Sequence, residues 1–398
     1  MKDSNRRARP SGPTTRQGPK AKTHASNNSG KRGAGRGSEV RSGQRRDAPA
    51  PDFRGKTGSP RPGRAEQPRP GERQSGERQR REGSGERKLG NAPAHQPPKQ
   101  PISLKGARRK GEWLELKLPE GLSAAPIGVI MKQLPVPAKL AAKWLASNGV
   151  VKQGHHLRLK LFPQEAPGFP GDWADLNILY EDDFTLVVNK PAGVEVHPSV
   201  HGQRGTLAHA VAAYYEASGQ QCRVRHIHRL DKETTGPVLY AKNEFAHYEF
   251  DKAMREKQIE RIYLAVAEGV FEQKKGRIDK PIGQDRHHST RRRVSETGES
   301  AVTLFEVVDT FIDHTLVRLR LETGRTHQIR VHLSSIEHPL AGDGMYGGTR
   351  RYIHRQALHG ERLIWRHPWS GERMEVRAPL SEDIGRVLNE LRAAMDEL

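Results

Sequence analysis

From residue 113 onward the chain switches between two spacings of apolar residues, and these spacings predict its elements. WLELKL (113 to 118) alternates apolar and polar positions as a half-buried strand does. Strand patterns recur in TLVVNK (185 to 190), PVLYAK (237 to 242), RIYLAVAEGVF (261 to 271), AVTLFEVVDTF (301 to 311) and HTLVRLRLE (314 to 322). Helical spacing marks LAHAVAAYYEASG (207 to 219), where Leu207, Val211 and Tyr214 or Tyr215 share a side and Gly219 stops the run. It also marks FAHYEFDKAMREK (245 to 257), THQIRVHLSSI (326 to 336) and IGRVLNELRAAM (384 to 395). Strands and helices do not strictly alternate, which predicts an α+β fold, a mixed and largely antiparallel sheet flanked by helices, rather than a doubly wound parallel sheet.

Residues 111 to 163 form a separate pattern: the strand at Trp113, a short helix from about Ala138, an Asn148-Gly149 turn and two strand-like runs around Gly154. The Pro- and Gly-rich stretch QEAPGFPGDW opens a linker over 164 to 176, and the larger unit runs from 177 to 398.

Composition changes the picture before residue 111. Residues 1 to 110 hold 29 Lys and Arg against 9 Asp and Glu, so they carry nearly all of the net charge of +21. Phe53 is their only aromatic residue, which leaves too little apolar surface to offset the entropy of ordering, and a disordered basic tail is expected. A flexible polycation binds phosphate backbones by releasing counterions, so nucleic acid is the expected partner; a solvated extension without a partner is the plainer reading. Cys222 is the only cysteine, which excludes an intramolecular disulfide framework and a multi-cysteine zinc site and fits a reducing compartment. No apolar run is long enough to span a bilayer, and MKDSNRRARP leads into further polar sequence, so a soluble cytoplasmic protein, monomeric by default, is expected.

HRLDKETTG (228 to 236) sets Asp231 behind His228 and Arg229, and three readings of that carboxylate compete. It can cap a turn, since Gly236 follows; it can ligate a metal with His226 or His228; or it can be catalytic. No second ligand cluster recurs at metal-binding spacing, so no metal is expected. Spacing alone favours the turn over catalysis.

Four segments then share one pattern. HRLDKETTGPVLYAKN resembles the signature of the RluA family of RNA pseudouridine synthases, ILYEDDFTLVVNKPAGVEVHPS (178 to 199) its opening strand and turn, LETGRTHQIRVHLSSIEHPLAGDGMYGG (321 to 348) its second large motif, and RQALHGERLIWRHP (355 to 368) its closing helix and strand. Thr235 stands where Ser is common, Pro237 where an aliphatic residue is usual and Arg261 where Lys often stands.

The resemblance implies a pseudouridine synthase fold and the isomerisation of specific uridines, in ribosomal or transfer RNA, without cofactor or metal. It makes Asp231 the catalytic residue, with the choice between nucleophile and base open. It places Arg330 as the cation paired with Asp231, and Tyr263 as the ring that stacks on a flipped-out base. On alternation alone Tyr263 would be a core strand residue. An aspartate partly buried beside a base needs a cation to stay charged. Thr326 could cap a helix whose apolar face is Ile329, Leu333 and Ile336, with Arg330 beside it.

His228 and Arg229 would shape the turn, and Gly324 would allow a tight strand-to-helix turn. The run RHHSTRRR would grip RNA phosphates through Arg286, Arg291, Arg292 and Arg293; a solvated loop is the alternative. The 111 to 163 unit is similar in outline to the α-L RNA-binding motif, against a structural extension packed on the catalytic domain. Two other functions compete: a non-catalytic RNA-binding or ribosome-assembly protein of the same fold, which has no chemical need for Asp231, Tyr263 and Arg330 together, and a two-carboxylate glycosidase, for which Glu233 is too close to Asp231 to act across a sugar.

Overall fold

The computed structural model of the protein describes Ile102 and residues 106 to 397. The expected tail lies outside the described residues except at its end, where Arg108–Lys110 is a strand (β1) and Ile102 is buried. β1 pairs with β2 (Trp113–Lys117), and β4 (His156–Leu159) and β3 (Val150–Gln153) complete an antiparallel sheet ordered β1-β2-β4-β3. Two short helices cover it, α1 (Ile127–Gln133) and α2 (Ala138–Ala146), each entered from a proline, the residue suited to a helix start. This unit shares its core with the rest of the chain: Leu116, Trp144 and Leu159 belong to the same apolar cluster as Phe184, Phe245 and Trp365. The stretch expected as a linker has no regular structure but is pinned down, with Glu165 paired to Arg225 at 2.6 Å and Val224 N–H donating to the Pro167 carbonyl.

Two further sheets carry the remaining chain. β5 (Asn177–Glu181), β6 (Thr185–Lys190) and β7 (Gly236–Ala241) form an antiparallel sheet in that order. α3 (Leu207–Ala217) and α4 (Glu244–Arg255) flank it, α4 capped by the Asn243 side chain on Ala246 N–H at 2.8 Å. A six-stranded antiparallel sheet is built from β8 (Glu260–Glu268), β9 (Lys275–Asp279), β12 (Val302–Thr310), β13 (His314–Leu321), β14 (Leu358–Arg366) and β15 (Arg373–Arg377), in the order β15-β14-β8-β13-β12-β9. Between β9 and β12 lies a small hairpin, β10 (Ile282–Gln284) and β11 (Arg292–Val294).

Alternation along β8 explains the layering. Tyr263, Ala265 and Ala267 face one core with α3 and with Ile329 and Leu333 of α5 (Gln328–Ser334), whereas Leu264 and Val266 face another built on α6 (Glu382–Asp396). Tyr263 and α5 therefore meet on one face of the large sheet.

Two expectations are corrected. Thr326 does not cap α5: the N-cap is His327, at φ +57° in the left-handed region, and the turn is tied instead by Gln328, whose Oε1 accepts from Arg325 N–H at 2.9 Å and from the Thr323 hydroxyl at 2.8 Å. No helix immediately precedes β14: residues 354 to 357 form a bend and irregular chain, in which the Arg355 side chain reaches the Glu233 carbonyl and Asp383.

Candidate active site

The turn carrying Asp231 is fixed by its backbone and its neighbours. The Asp231 carbonyl accepts from Thr234 N–H at 3.0 Å and closes it. Lys190, at the buried end of β6, donates to the carbonyls of Pro191, Val194 and Lys232 at 2.7, 2.8 and 2.8 Å. Burial pushes its pKa down to about 7, against the charges of Glu233 and Asp231; three carbonyl acceptors are what make an ammonium tolerable there. Arg355 Nη1 donates to the Glu233 carbonyl at 2.9 Å while its Nε and Nη2 grip Asp383 at 2.6 and 2.7 Å, tying the turn to α6. Gly236, at φ +125°, lies so close to Gly360 of β14 that a Cβ would stand 2.5 Å from its carbonyl oxygen, which joins the two sheets at the turn.

With the turn built by main chain, the Asp231 carboxylate is left for other work. It lines a cavity of about 600 Å³ together with Tyr263, Arg261, His327 and Arg330. Arg330 Nη1 donates to Asp231 Oδ2 at 3.3 Å, so the structure brings together the three residues singled out from sequence. Arg330 also makes a bidentate pair with buried Asp343, at 2.6 and 2.8 Å, which sequence reasoning missed. Burial works against the guanidinium charge, but the hydrogen bonds and charge of Asp343, with Asp231 behind them, raise its pKa. Tyr346 lies under it with the ring 4.9 Å from Cζ, and the Tyr346 hydroxyl bonds His327 Nδ1 at 2.8 Å. Tyr263 is 5 % exposed, at once a core residue of β8 and part of the cavity wall; burial, then the Asp231 charge, raises its phenol pKa against the opposing charge of Arg261.

The other predicted residues fall into two places. His228 is buried at the wall of the same cavity, where Nε2 accepts from Leu239 N–H at 3.3 Å and so supports β7. Arg229 is exposed at the cavity edge, and its side chain forms no hydrogen bond or ion pair with the described residues. Arg286, Arg291 and Arg293 are exposed and Arg292 half-buried, all on the β10–β11 hairpin beside the cavity; Arg291 stands 5.5 Å from the Tyr346 ring and Arg292 N–H donates to its hydroxyl at 2.9 Å. Arg255, Lys257 and Arg325, not singled out from sequence, are exposed on the rim. Among the described residues no group of three or more His, Cys, Asp or Glu is arranged to hold a metal ion, and no helix is long and apolar enough to cross a membrane. A larger cavity, about 760 Å³, opens beside Glu181, Asp182 and Asp183, but Lys242, His367 and Arg109 already pair with those carboxylates.

Known proteins carry the same arrangement of segments. Residues 184–335 match a family model described as RNA pseudouridylate synthase. Over 279 residues the chain is 42% identical to the uncharacterized RNA pseudouridine synthase YhcT of Bacillus subtilis, spanning 70% of this chain and 92% of that protein. The chain belongs to the RluA family of RNA pseudouridine synthases. It is also 41% identical over 236 residues to a ribosomal large subunit pseudouridine synthase D of Vibrio vulnificus, spanning 56% of this chain and 72% of that one. A solved human structure, RNA Pseudouridylate Synthase Domain Containing 4, aligns at 25% identity with a TM-score of 0.45, covering 54% of this chain and 92% of that chain.

As an RluA-family synthase the protein is an RNA isomerase, and its fold is the mixed, antiparallel α+β arrangement expected from the sequence. Asp343, Lys190 and Arg355 are the supports that sequence reasoning passed over. Of these, Lys190 left a signal, a lysine closing the otherwise apolar strand TLVVNK.

Proposed function

We propose that the cavity around Asp231 is the catalytic centre, and that it converts a uridine of large-subunit ribosomal RNA to pseudouridine. The reaction breaks the bond from ribose C1′ to uracil N1 and forms one from the same carbon to C5, with N1 gaining a proton and C5 losing one, so nothing is consumed. Positive charge grows on the sugar as the first bond breaks, and a carboxylate beside it stabilises or captures that charge. Asp231 is suited to this because Arg330 orients it and the turn needs only its main chain. The flat face of Tyr263 gives a flipped-out base a stacking surface within the same cavity. Arg229 on the rim, and Arg286, Arg291, Arg292 and Arg293 on the hairpin, would meet phosphates of the RNA.

The observation that carries this reading is the Asp231–Arg330 pair inside a cavity walled by Tyr263. The choice of ribosomal RNA rests on the names of relatives such as the Vibrio vulnificus large-subunit enzyme. Asp231→Asn is expected to abolish pseudouridine formation while leaving RNA binding intact. Mapping pseudouridines in ribosomal and transfer RNA from cells carrying either form tests both parts: retained turnover refutes the site, and a difference confined to transfer RNA refutes the substrate.

A further inference from the structure

Arg261 stands on β8 two residues before Tyr263, so both side chains leave the same face of the strand and both line the cavity. Two of the cavity's guanidiniums, those of Arg330 and Arg261, are treated differently. Arg330 is held by two carboxylates, whereas Arg261 forms no ion pair with any described carboxylate. Its one hydrogen bond is a long one, Nη2 to the Thr323 carbonyl at 3.4 Å, and its Nε is buried without a partner. A half-buried cation with an unmet donor is costly unless an anion arrives to meet it.

Space is reserved for this side chain. A Cβ at Gly324 would stand 2.6 Å from Arg261 Nη1, so the turn between β13 and α5 passes the guanidinium at a distance that a glycine makes comfortable. Beyond Arg261, Arg255 is exposed on the cavity rim, next to Lys257, which pairs with Glu322 at 3.8 Å. Positions i and i+2 of an antiparallel strand are roughly 6.8 Å apart. That is comparable to the separation of a nucleobase from the phosphate of its own nucleotide.

We propose that Arg261 is a phosphate-binding residue that takes a phosphodiester adjoining the target uridine while the base lies on Tyr263. The proposal rests on the active-site reading above. It adds a counter-ion to the picture: the anion that Arg261 lacks among the described residues comes with the RNA. A guanidinium serves here because its fork can give two parallel hydrogen bonds to phosphate oxygens.

The test uses the full chain and an RNA oligonucleotide spanning a uridine that the wild type modifies and the Asp231→Asn form does not. Each of the two phosphodiesters flanking that uridine is replaced in turn by an uncharged methylphosphonate. For the wild type, one replacement is expected to lower kcat/KM about tenfold, the scale of one charge-assisted hydrogen bond. Arg261→Met should lose about the same on unmodified RNA and be indifferent to that replacement. Its binding should also depend less on salt, with the slope of log affinity against log salt shallower by about 0.7. Arg261→Lys, which keeps the charge, should recover part of the loss and serves if the Met form does not fold. Losses from variant and phosphonate that multiply, or an unchanged salt slope, overturn the proposal. If the Asp231→Asn form modifies every uridine that the wild type does, so that no such oligonucleotide exists, the active-site reading fails instead.

Discussion

Arg330 gives Nε and Nη2 hydrogens to Asp343, at 2.6 and 2.8 Å, and an Nη1 hydrogen to Asp231 at 3.3 Å. The tighter partner is thus the buried carboxylate away from the cavity, and the proposed catalytic one takes the third, longer bond. A bidentate pair fixes the plane of the guanidinium, and that plane decides where Nη1 points. Asp343 is a positioning residue in this arrangement, and Asp231 inherits its orientation through Arg330.

Asp343→Asn is therefore expected to reduce kcat about a hundredfold, with KM for RNA changing little. The asparagine amide would face guanidinium hydrogens, leaving a buried cation half-matched. Breaking a buried ion pair from one side costs about 3 kcal/mol or more. Urea denaturation beside steady-state kinetics checks both parts; a loss of stability with kcat unchanged would mean that Asp343 only supports the fold.

Much of this was legible in the sequence where apolar spacing repeats over several residues, as in β6, α4, β12 and β13. The β10–β11 hairpin was not, because IGQ and RRV are too short and too polar to show a period. Asp343 follows Gly342, at φ +80°, in a turn without periodicity, and its link to Arg330 depends on how that turn folds back. Arg355 reaches the Glu233 carbonyl across 122 positions of the chain, a contact no local pattern announces. Tyr263 was the opposite case: alternation read it as core and the family resemblance read it as site, and it is buried in the core while lining the cavity.

Lys190→Met should show how much the turn depends on one ammonium. The variant keeps an apolar side chain of similar length but leaves the carbonyls of Pro191, Val194 and Lys232 without its three donors. These carbonyls are only partly buried, so water can meet them in part and a total loss of about 1 to 3 kcal/mol is expected, with kcat falling as the Asp231 turn loosens. Thermal melting and single-turnover assays measure these separately. Full activity in a variant that melts earlier would show that the staple serves stability alone.

A cut before Ile102 keeps every described residue, including Ile102, which packs in the core and donates its N–H to the Gln133 carbonyl at 3.1 Å. Residues 1 to 100 carry 25 Lys and Arg against 9 Asp and Glu. Deleting them is expected to weaken RNA binding severalfold at low salt and to flatten its salt dependence, because fewer counterions are released. The maximal turnover rate should be unaffected. An affinity that follows the same salt series with and without these residues would show that they do not tether RNA.

His228 should set an acid limit on the fold. Burial, with the Arg261 charge and His226 acting in the same direction, pushes its pKa down to about 3, well below the ordinary histidine value. Above pH of about 6.5 the imidazole is neutral folded or unfolded and has no effect on stability. Below that the unfolded chain takes up a proton that the folded one refuses until about pH 3, so unfolding is favoured by about 1.4 kcal/mol for each pH unit across the window. His226, pushed by burial to about 4, adds to the upper part of the same slope. His228→Gln is expected to be less stable than the wild type at pH 7.5, having lost its packing beneath β7, yet to lose less stability on going from pH 6.5 to 4.5. Urea midpoints at three pH values give the comparison. Equal slopes for the two proteins would place the acid sensitivity elsewhere; a shallower one in the variant would show that proton uptake by His228 on unfolding contributes to it.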